Sequence, residues 1–199
     1  MISAIIAFIM TIILIVKKKS YARTYLRIWF FIVSIIYLQL TINWFVLYHA
    51  KSFEEKYLDA TLSGRVSELE EYRNRLVEIC NELSKDVDRD ESGYIIYDGD
   101  INAECIKLMK DLGKDYKELS GYYPRPKKVL MSGFMSQQYV SGIYYPFSME
   151  ANINGMMYLP NYPATICHEL SHLKGIISED EANFIGYLAC IKSNIPRFS

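Results

Sequence analysis

Two apolar runs separated by a basic stretch open the chain. Ile2 to Val16 carries no charge and is rich in isoleucine, and Ile28 to Tyr48 is a second uncharged run of 21 residues that includes Trp29, Phe30, Phe31, Trp44 and Phe45. At about 1.5 Å per residue the second run covers roughly 30 Å, the hydrocarbon thickness of a bilayer, and its aromatics sit near both ends, where interfacial Trp and Tyr belong. This predicts a membrane helix over 28–48. The first run is short for a span and crosses only if Lys17 to Lys19 snorkel or the bilayer thins. We expect it to cross, giving transmembrane helices over about 2–16 and 28–48 joined by a basic loop, 17–27. A secretory signal fits poorly, because its positive charge precedes the apolar run instead of following it. Ser34, Gln39, Thr41 and Asn43, uncharged polar residues inside the second helix, are expected to make helix-to-helix contacts.

Beyond the second run the periodicity changes three times. Residues 51–65 read as a short polar tether. Val66, Leu69, Tyr72, Leu76, Ile79, Cys80 and Leu83 then recur at three-and-four spacing, which predicts an amphipathic helix. After a polar loop, Ile101, Cys105, Leu108, Met109, Leu112 and Tyr116 predict another, broken by the two prolines of YPRPKK. From Val129 onward the period is two: Ile143, Tyr145, Phe147, Met149, Ala151 and Ile153 alternate with Tyr144, Pro146, Ser148, Glu150, Asn152 and Asn154. This reads as sheet with the second set on a wet face. Helices followed by sheet and helices again give an α+β domain over 51–199, after a membrane region over 1–50.

Charge gives the arrangement a direction. The chain holds 22 Lys and Arg against 23 Asp and Glu, but residues 1–50 contain five of the basic residues and none of the acidic ones, so the remainder carries a formal charge of −6. The basic segment between the apolar runs is retained in the cytoplasm, which puts everything after Tyr48 outside. The expected location is the cell membrane, multi-pass, with membrane lipid as a partner and the C-terminal domain extracytoplasmic. No concentrated basic face remains to bind nucleic acid, which is excluded as a partner. The four cysteines, Cys80, Cys105, Cys167 and Cys190, form no CxxC pair and read as buried free thiols. DRDESGYI (88–95) matches the start of a calcium-loop pattern, but Gly99 stands where the closing Glu should be, so it reads as a solvated acidic turn.

The candidate chemistry lies near the end. Pro163 suits a first helical turn and Gly175 a left-handed cap, which brackets a helix over 164–174 containing His168-Glu169-Leu170-Ser171-His172. Residues four apart share a helix face, so both imidazoles can point at one ion, and Glu169, about 100° around, can reach a water on that ion. The geometry suits zinc. The chain has three histidines, and the third, His49, sits at the membrane edge. The remaining protein ligand should therefore be a carboxylate. Glu181 has an alternative structural duty, a capping box with Ser178. Glu179 has none and shares a helix face with Asn183, Gly186 and Cys190, while Ala182 and Gly186 are small enough to let this helix approach the first closely. We therefore expect Glu179 as third ligand, with Glu181 and then Glu150 as alternatives, and Asn183 as a residue that orients a ligand. Tyr144, Tyr145, Tyr158 and Tyr187 are candidate oxyanion donors among 17 tyrosines.

The run from Pro124 to Cys190, with PRPKKVL, GIYYPFSMEANIN, HELSH and GIISEDEANFIGYLAC, resembles a family of bacterial membrane proteins of unknown function that carry an HExxH motif and are regarded as zinc metallopeptidases. The resemblance implies a zincin-like ectodomain with a small mixed or antiparallel sheet and flanking helices. It also implies His168 and His172 as zinc ligands, Glu169 as the catalytic glutamate, and a glutamate of Glu179-Asp180-Glu181 as third ligand. Asn183 departs from the zincin class, which usually has Asp there, and members of the family are expected to continue past the end of this chain. The expected function is zinc-dependent hydrolysis of peptide bonds at the outer face of the membrane, with a peptide, a protein or a cell-wall peptide as substrate. The competing expectation is a catalytically silent, membrane-tethered ectodomain that binds a partner, with a structural metal site closed by Cys167 or Glu150.

Overall fold

A computed structural model describes residues 8, 9, 12, 13, 16, 22–58 and 66–193. Its first long element is α1, Ala22–Leu40, which runs without a break into a wider π-helical turn, Thr41–Val46. The stretch Arg23–Val46 is the one helix among the described residues long and apolar enough to cross a membrane, a property that signal sequences share, and none of it is buried inside the protein. It starts earlier than expected: Arg23 and Arg27 of the anticipated loop lie on the helix, where long side chains can carry their charge back to the interface. Most of the expected first span, 2–16, lies outside the described residues, although Phe8 sets its ring edge-on to Trp29 with centroids 5.9 Å apart.

Among the described residues, the polar side chains Ser34, Gln39, Thr41 and Asn43 of this helix find their partners in backbone carbonyls. Ser34 and Thr41 donate to the carbonyls of Phe30 and Tyr37 one turn back, each at 2.8 Å. Thr41 does so where the π turn begins, and such back-bonding competes with the helical ladder. Gln39 and Asn43 instead reach the domain that follows.

The expected tether is partly folded. Phe53–Tyr57 forms a short helix, α2, capped by Ser52, whose hydroxyl accepts from the Glu55 N–H at 3.0 Å. Phe53 is buried, and its ring lies 4.9 Å from Tyr57 and 5.0 Å from Tyr116. A five-residue helix is too short to leave a periodic signature; residues 59–65 of the tether lie outside the described residues. The helix α3, Val66–Leu83, forms as its pattern predicts, yet its apolar stripe, Leu69, Tyr72 and Leu76 included, stays exposed. In the acidic turn that follows, the Asp90 carboxylate accepts from the N–H groups of Ser92 (2.9 Å) and Tyr94 (2.8 Å), the work of a turn residue.

The core forms where α4, Ile101–Asp115, meets the last two helices. Asp100 caps α4 through the Ala103 N–H and grips Arg125 through two bonds of 2.7 and 2.9 Å. Cys105, Met109 and Leu112 of α4 pack with Ile166, Cys167 and Leu170 of α6, Asn161–His172, and with Ala182, Ile185 and Ala189 of α7, Glu179–Ile191. Three of the cysteines are buried free thiols, as expected, whereas Cys80 is exposed on α3.

The sheet has three strands, β1 (Lys127–Val129), β2 (Gly142–Tyr145) and β3 (Glu150–Asn154), in the order β1-β3-β2, with β1 parallel and β2 antiparallel to β3. The period-two reading from Val129 fails twice. A short helix, α5, Ser132–Gln137, intervenes. Within the hairpin, Tyr144 is 6% exposed while Ile143 and Tyr145 are 50% and 49% exposed, the reverse of the expected faces; Ala151 and Ile153 are buried as expected. The cause is register. Gly142 pairs with Ile153 and Tyr144 with Ala151, so odd positions oppose even ones, and the turn hands the buried face from one parity to the other. Asn154, expected on the wet face, is buried, with its amide donating to Ser136 Oγ and the Val140 carbonyl and accepting from the Met156 N–H.

The helices α6 and α7 approach closely at Gly186, where a methyl group would come within 2.9 Å of the Ala164 carbonyl oxygen. Gly186→Val should therefore destabilise the domain by about 1–3 kcal/mol. Thermal unfolding of the detergent-solubilised protein checks this; an unchanged midpoint would mean that the two helices are not in contact.

Candidate metal centre

Two residues bracket the helix α6 that carries the two histidines. Pro163 sits in the first turn; Gly175, at φ +84°, turns the chain out of the last one. There the Gly175 N–H donates to the His172 carbonyl at 3.0 Å and the Ile176 N–H to the Ser171 carbonyl at 3.4 Å, a Schellman closure. The tight exit returns the chain within three residues to Glu179, the first residue of α7.

The result is a convergence of three ligand atoms. His168 Nε2 and His172 Nε2 lie 3.1 Å apart, and the Glu179 carboxylate approaches them at 3.2 and 3.7 Å. All three donor atoms fall within 4.8 Å of one another, the one group of this kind among the described residues. The other ring nitrogens are occupied: His168 Nδ1 meets Asn183 Oδ1 at 3.0 Å, and His172 Nδ1 meets the Ile176 carbonyl at 2.6 Å. With acceptors at both Nδ1 atoms, each Nδ1 carries the proton, and two Nε2 lone pairs face each other. Burial and the neighbouring His172 hold His168 below the usual imidazole range, against the opposing pull of Glu179 and Asn183. Two imidazole acceptors turned toward each other beside a carboxylate form a donor set suited to a zinc-sized cation.

Glu169 points from the same helix into the same cleft. It is 4% exposed, and its Oε2 is buried with no hydrogen-bond partner. Burial pushes its carboxyl up to about 8, the Glu179 charge adds to the rise, and the Tyr144 backbone N–H opposes it. Room for this side chain comes from Gly142 of β2, where a methyl group would lie 2.7 Å from Glu169 Cγ. The cleft, about 440 Å³, is lined by the three candidate ligands and Glu169 on one side and by Val140 to Tyr144 on the other. Trp44, from the apolar helix, lines it as well.

The remaining candidates lie elsewhere. Glu181 accepts from the Glu54 N–H of α2 at 2.8 Å. Its expected capping box does not form, because the Ser178 hydroxyl donates to Asp180, and Asp180 Oδ1 accepts from the Glu181 N–H at 3.0 Å. Glu150 pairs with Lys127, and that bond and one from Ser148 hold its carboxyl below the usual range. Cys167 turns into the core, where hydrogen bonds with Cys105 and Cys190 and burial push its thiol up. Among the four tyrosines, Tyr144 alone lines the cleft; its ring lies 6.0 Å from that of His172 and its hydroxyl donates to Met149 Sδ. Tyr145, Tyr158 and Tyr187 are exposed.

The pattern did not reveal Gly142 or Trp44. An isolated glycine in a strand is a signal of close approach that could have found the first; the second depends on a contact between distant segments.

The family described as "Protein of unknown function (DUF3810)" matches residues 1–199. The chain belongs to this family. No curated protein and no solved structure matches it. Members of DUF3810 are thus described by no activity, and the function of this one has to be argued from its own cleft.

The distinct duties of the two glutamates are testable. Glu181→Ala should leave the Glu54 N–H without its acceptor, costing about 1–3 kcal/mol and speeding hydrogen exchange at that amide. Glu179→Ala should leave exchange at Glu54 unchanged. Equal exchange rates in wild type and Glu181→Ala would refute the contact.

Proposed function

We propose that this protein is a membrane-anchored zinc peptidase with a zincin-like ectodomain, hydrolysing peptide bonds at the outer face of the membrane. The observation that carries this reading is the convergence of His168, His172 and Glu179 beside a buried, unpartnered Glu169 oxygen. The helix pair fits it, with the motif on α6 and the acidic ligand at the start of α7, and so does the strand edge along the opposite wall. The anchor is the Arg23–Val46 helix, with 2–16 as a second span and the basic segment between them in the cytoplasm. Asn183 orients His168, and the Ile176 carbonyl orients His172.

A zinc ion held by the three ligands would supply Lewis-acid polarisation of a scissile carbonyl and would lower the pKa of a water toward about 7. The protein's own part is proton management. Glu169 Oε2, with no competing hydrogen bond, would take a proton from the attacking water and return it to the leaving amine from the ionised form of its carboxyl, a form that a cation held beside it would favour and that burial alone disfavours. The Tyr144 N–H holds the carboxylate in position while this happens. A structural metal site would need a fourth protein ligand, and the two residues considered for it, Glu150 and Cys167, are engaged elsewhere. This favours an open catalytic site over a silent one.

Metal analysis of the purified full-length protein tests the reading. Wild type should carry about one zinc per chain and His172→Ala should lose it. Equal content in both, or none in either, would overturn the site. Glu169→Gln should keep the zinc while hydrolysing peptides about 10²–10⁴-fold more slowly; undiminished turnover in that variant would remove Glu169 from its role.

A further inference from the structure

The cleft is joined to the apolar helix at two places. Trp44, inside the stretch Arg23–Val46, lines the same cavity as His168 and Glu169. Beside it and one turn deeper, side-chain amides of the helix satisfy the turn between β2 and β3: Asn43 Nδ2, next to Trp44, donates to the Pro146 carbonyl at 2.9 Å, and Gln39 Nε2, a turn further in, donates to the Phe147 carbonyl. Backbone carbonyls need such protein partners where water is scarce.

Depth follows from the helix rise. Asn43 and Gln39 precede Tyr48, the end of the apolar run, by five and nine residues, so the turn meets the helix roughly 8 to 14 Å below that end. The residues that surround the turn suit this level. The rings of Tyr145 and Phe147 pack at a tilt with centroids 5.3 Å apart, and Ile143, Tyr145 and Met149 expose apolar surface. The rim of the cleft continues it with Tyr139, 98% exposed. Trp44 precedes the same end by four residues, roughly 6 Å, so on the membrane-anchored reading the mouth of the cleft lies near the boundary between hydrocarbon and headgroups.

The strand β2 supplies a template for an extended chain. It is the outer strand of the sheet, and hydrogen bonding to β3 alternates along it. The Asn154 N–H donates to the Ser141 carbonyl, which fixes the phase: Ile143 and Tyr145 bond inward, while the backbone groups of Gly142 and the Tyr144 carbonyl face the cleft and the Tyr144 N–H is taken by Glu169. A peptide laid along this edge as a further strand passes beside Glu169 and the histidine pair.

Resting on the hydrolase reading above, we infer that the substrate is the juxtamembrane segment of a second membrane-anchored polypeptide, bound in extended form along β2 and cut close to the bilayer surface. A chain already anchored in the same bilayer meets the cleft at high effective concentration, whereas a soluble peptide has to enter the headgroup layer first.

The test uses the full-length protein in vesicles of equal parts phosphatidylcholine and phosphatidylglycerol. Two substrate libraries carry the same degenerate segment of about ten residues on a transmembrane helix, one joined directly and one through a flexible spacer of about forty residues. With zinc loaded, mass spectrometry should find the direct library cut at least about tenfold faster. Independently of turnover, metal-free protein carrying Ile143→benzoylphenylalanine should photo-crosslink the direct library in preference to the spaced one. Equal cutting and equal crosslinking of the two libraries would overturn this inference and leave the hydrolase reading standing. No cutting of either library by zinc-loaded protein would overturn the hydrolase reading, and this inference with it.

Discussion

The cleft exists because two helices meet at a contact too tight for any side chain. At Gly186 the backbone of α7 rests against the Ala164 carbonyl and the start of the HExxH turn, and the buried Ala182 keeps the same face flat one turn earlier. That proximity puts Asn183 within reach of one imidazole and Glu179 within reach of both. The Schellman exit at Gly175 does the rest, because only an abrupt reversal brings the acidic end of α7 back over the histidines. Partial positive charge at that helix start also favours carboxylates there. A wider separation would leave two histidines on a helix face with nothing opposite them.

The parts of this arrangement that could be read in advance are those written in local periodicity. The stripe from Ile101 to Tyr116 gave α4, the proline and glycine gave the limits of α6, and the four-residue spacing gave the histidine pair. Glu179 was preferred because Glu181 had another duty to perform. The geometry brings Glu179 to the histidines and takes Glu181 elsewhere, where it serves structure by reaching a backbone N–H on α2 instead of capping its own helix. A backbone donor leaves no mark in a sequence, since every residue but proline has one.

What could not be read depends on register or on distance along the chain. Alternation through 143–153 looks continuous, but a four-residue turn in the middle reverses which parity is buried, so Tyr144 is buried and Ile143 is exposed. The six residues of α5 are too few to interrupt a period-two reading. Trp44 looked like an interfacial aromatic of a span; nothing local linked it to residues over a hundred positions later. Gln39 and Asn43 were recognised as polar residues in need of partners, and their partners turned out to be carbonyls of a hairpin instead of another helix.

Those two amides have a mechanical consequence. A domain tied to its anchor by a loose linker can swing freely, whatever the anchor does. Here the hairpin is fastened to the helix at two points one turn apart, and α2 is fastened to α7 by Glu181, so the connection acts as a bracket and not a leash. On the membrane-anchored reading proposed above, a change in the inclination of the helix, as when the surrounding lipid thins, would rotate β2 and the cleft through the same angle. Lipid thickness would thereby become a variable that sets the aim of the site.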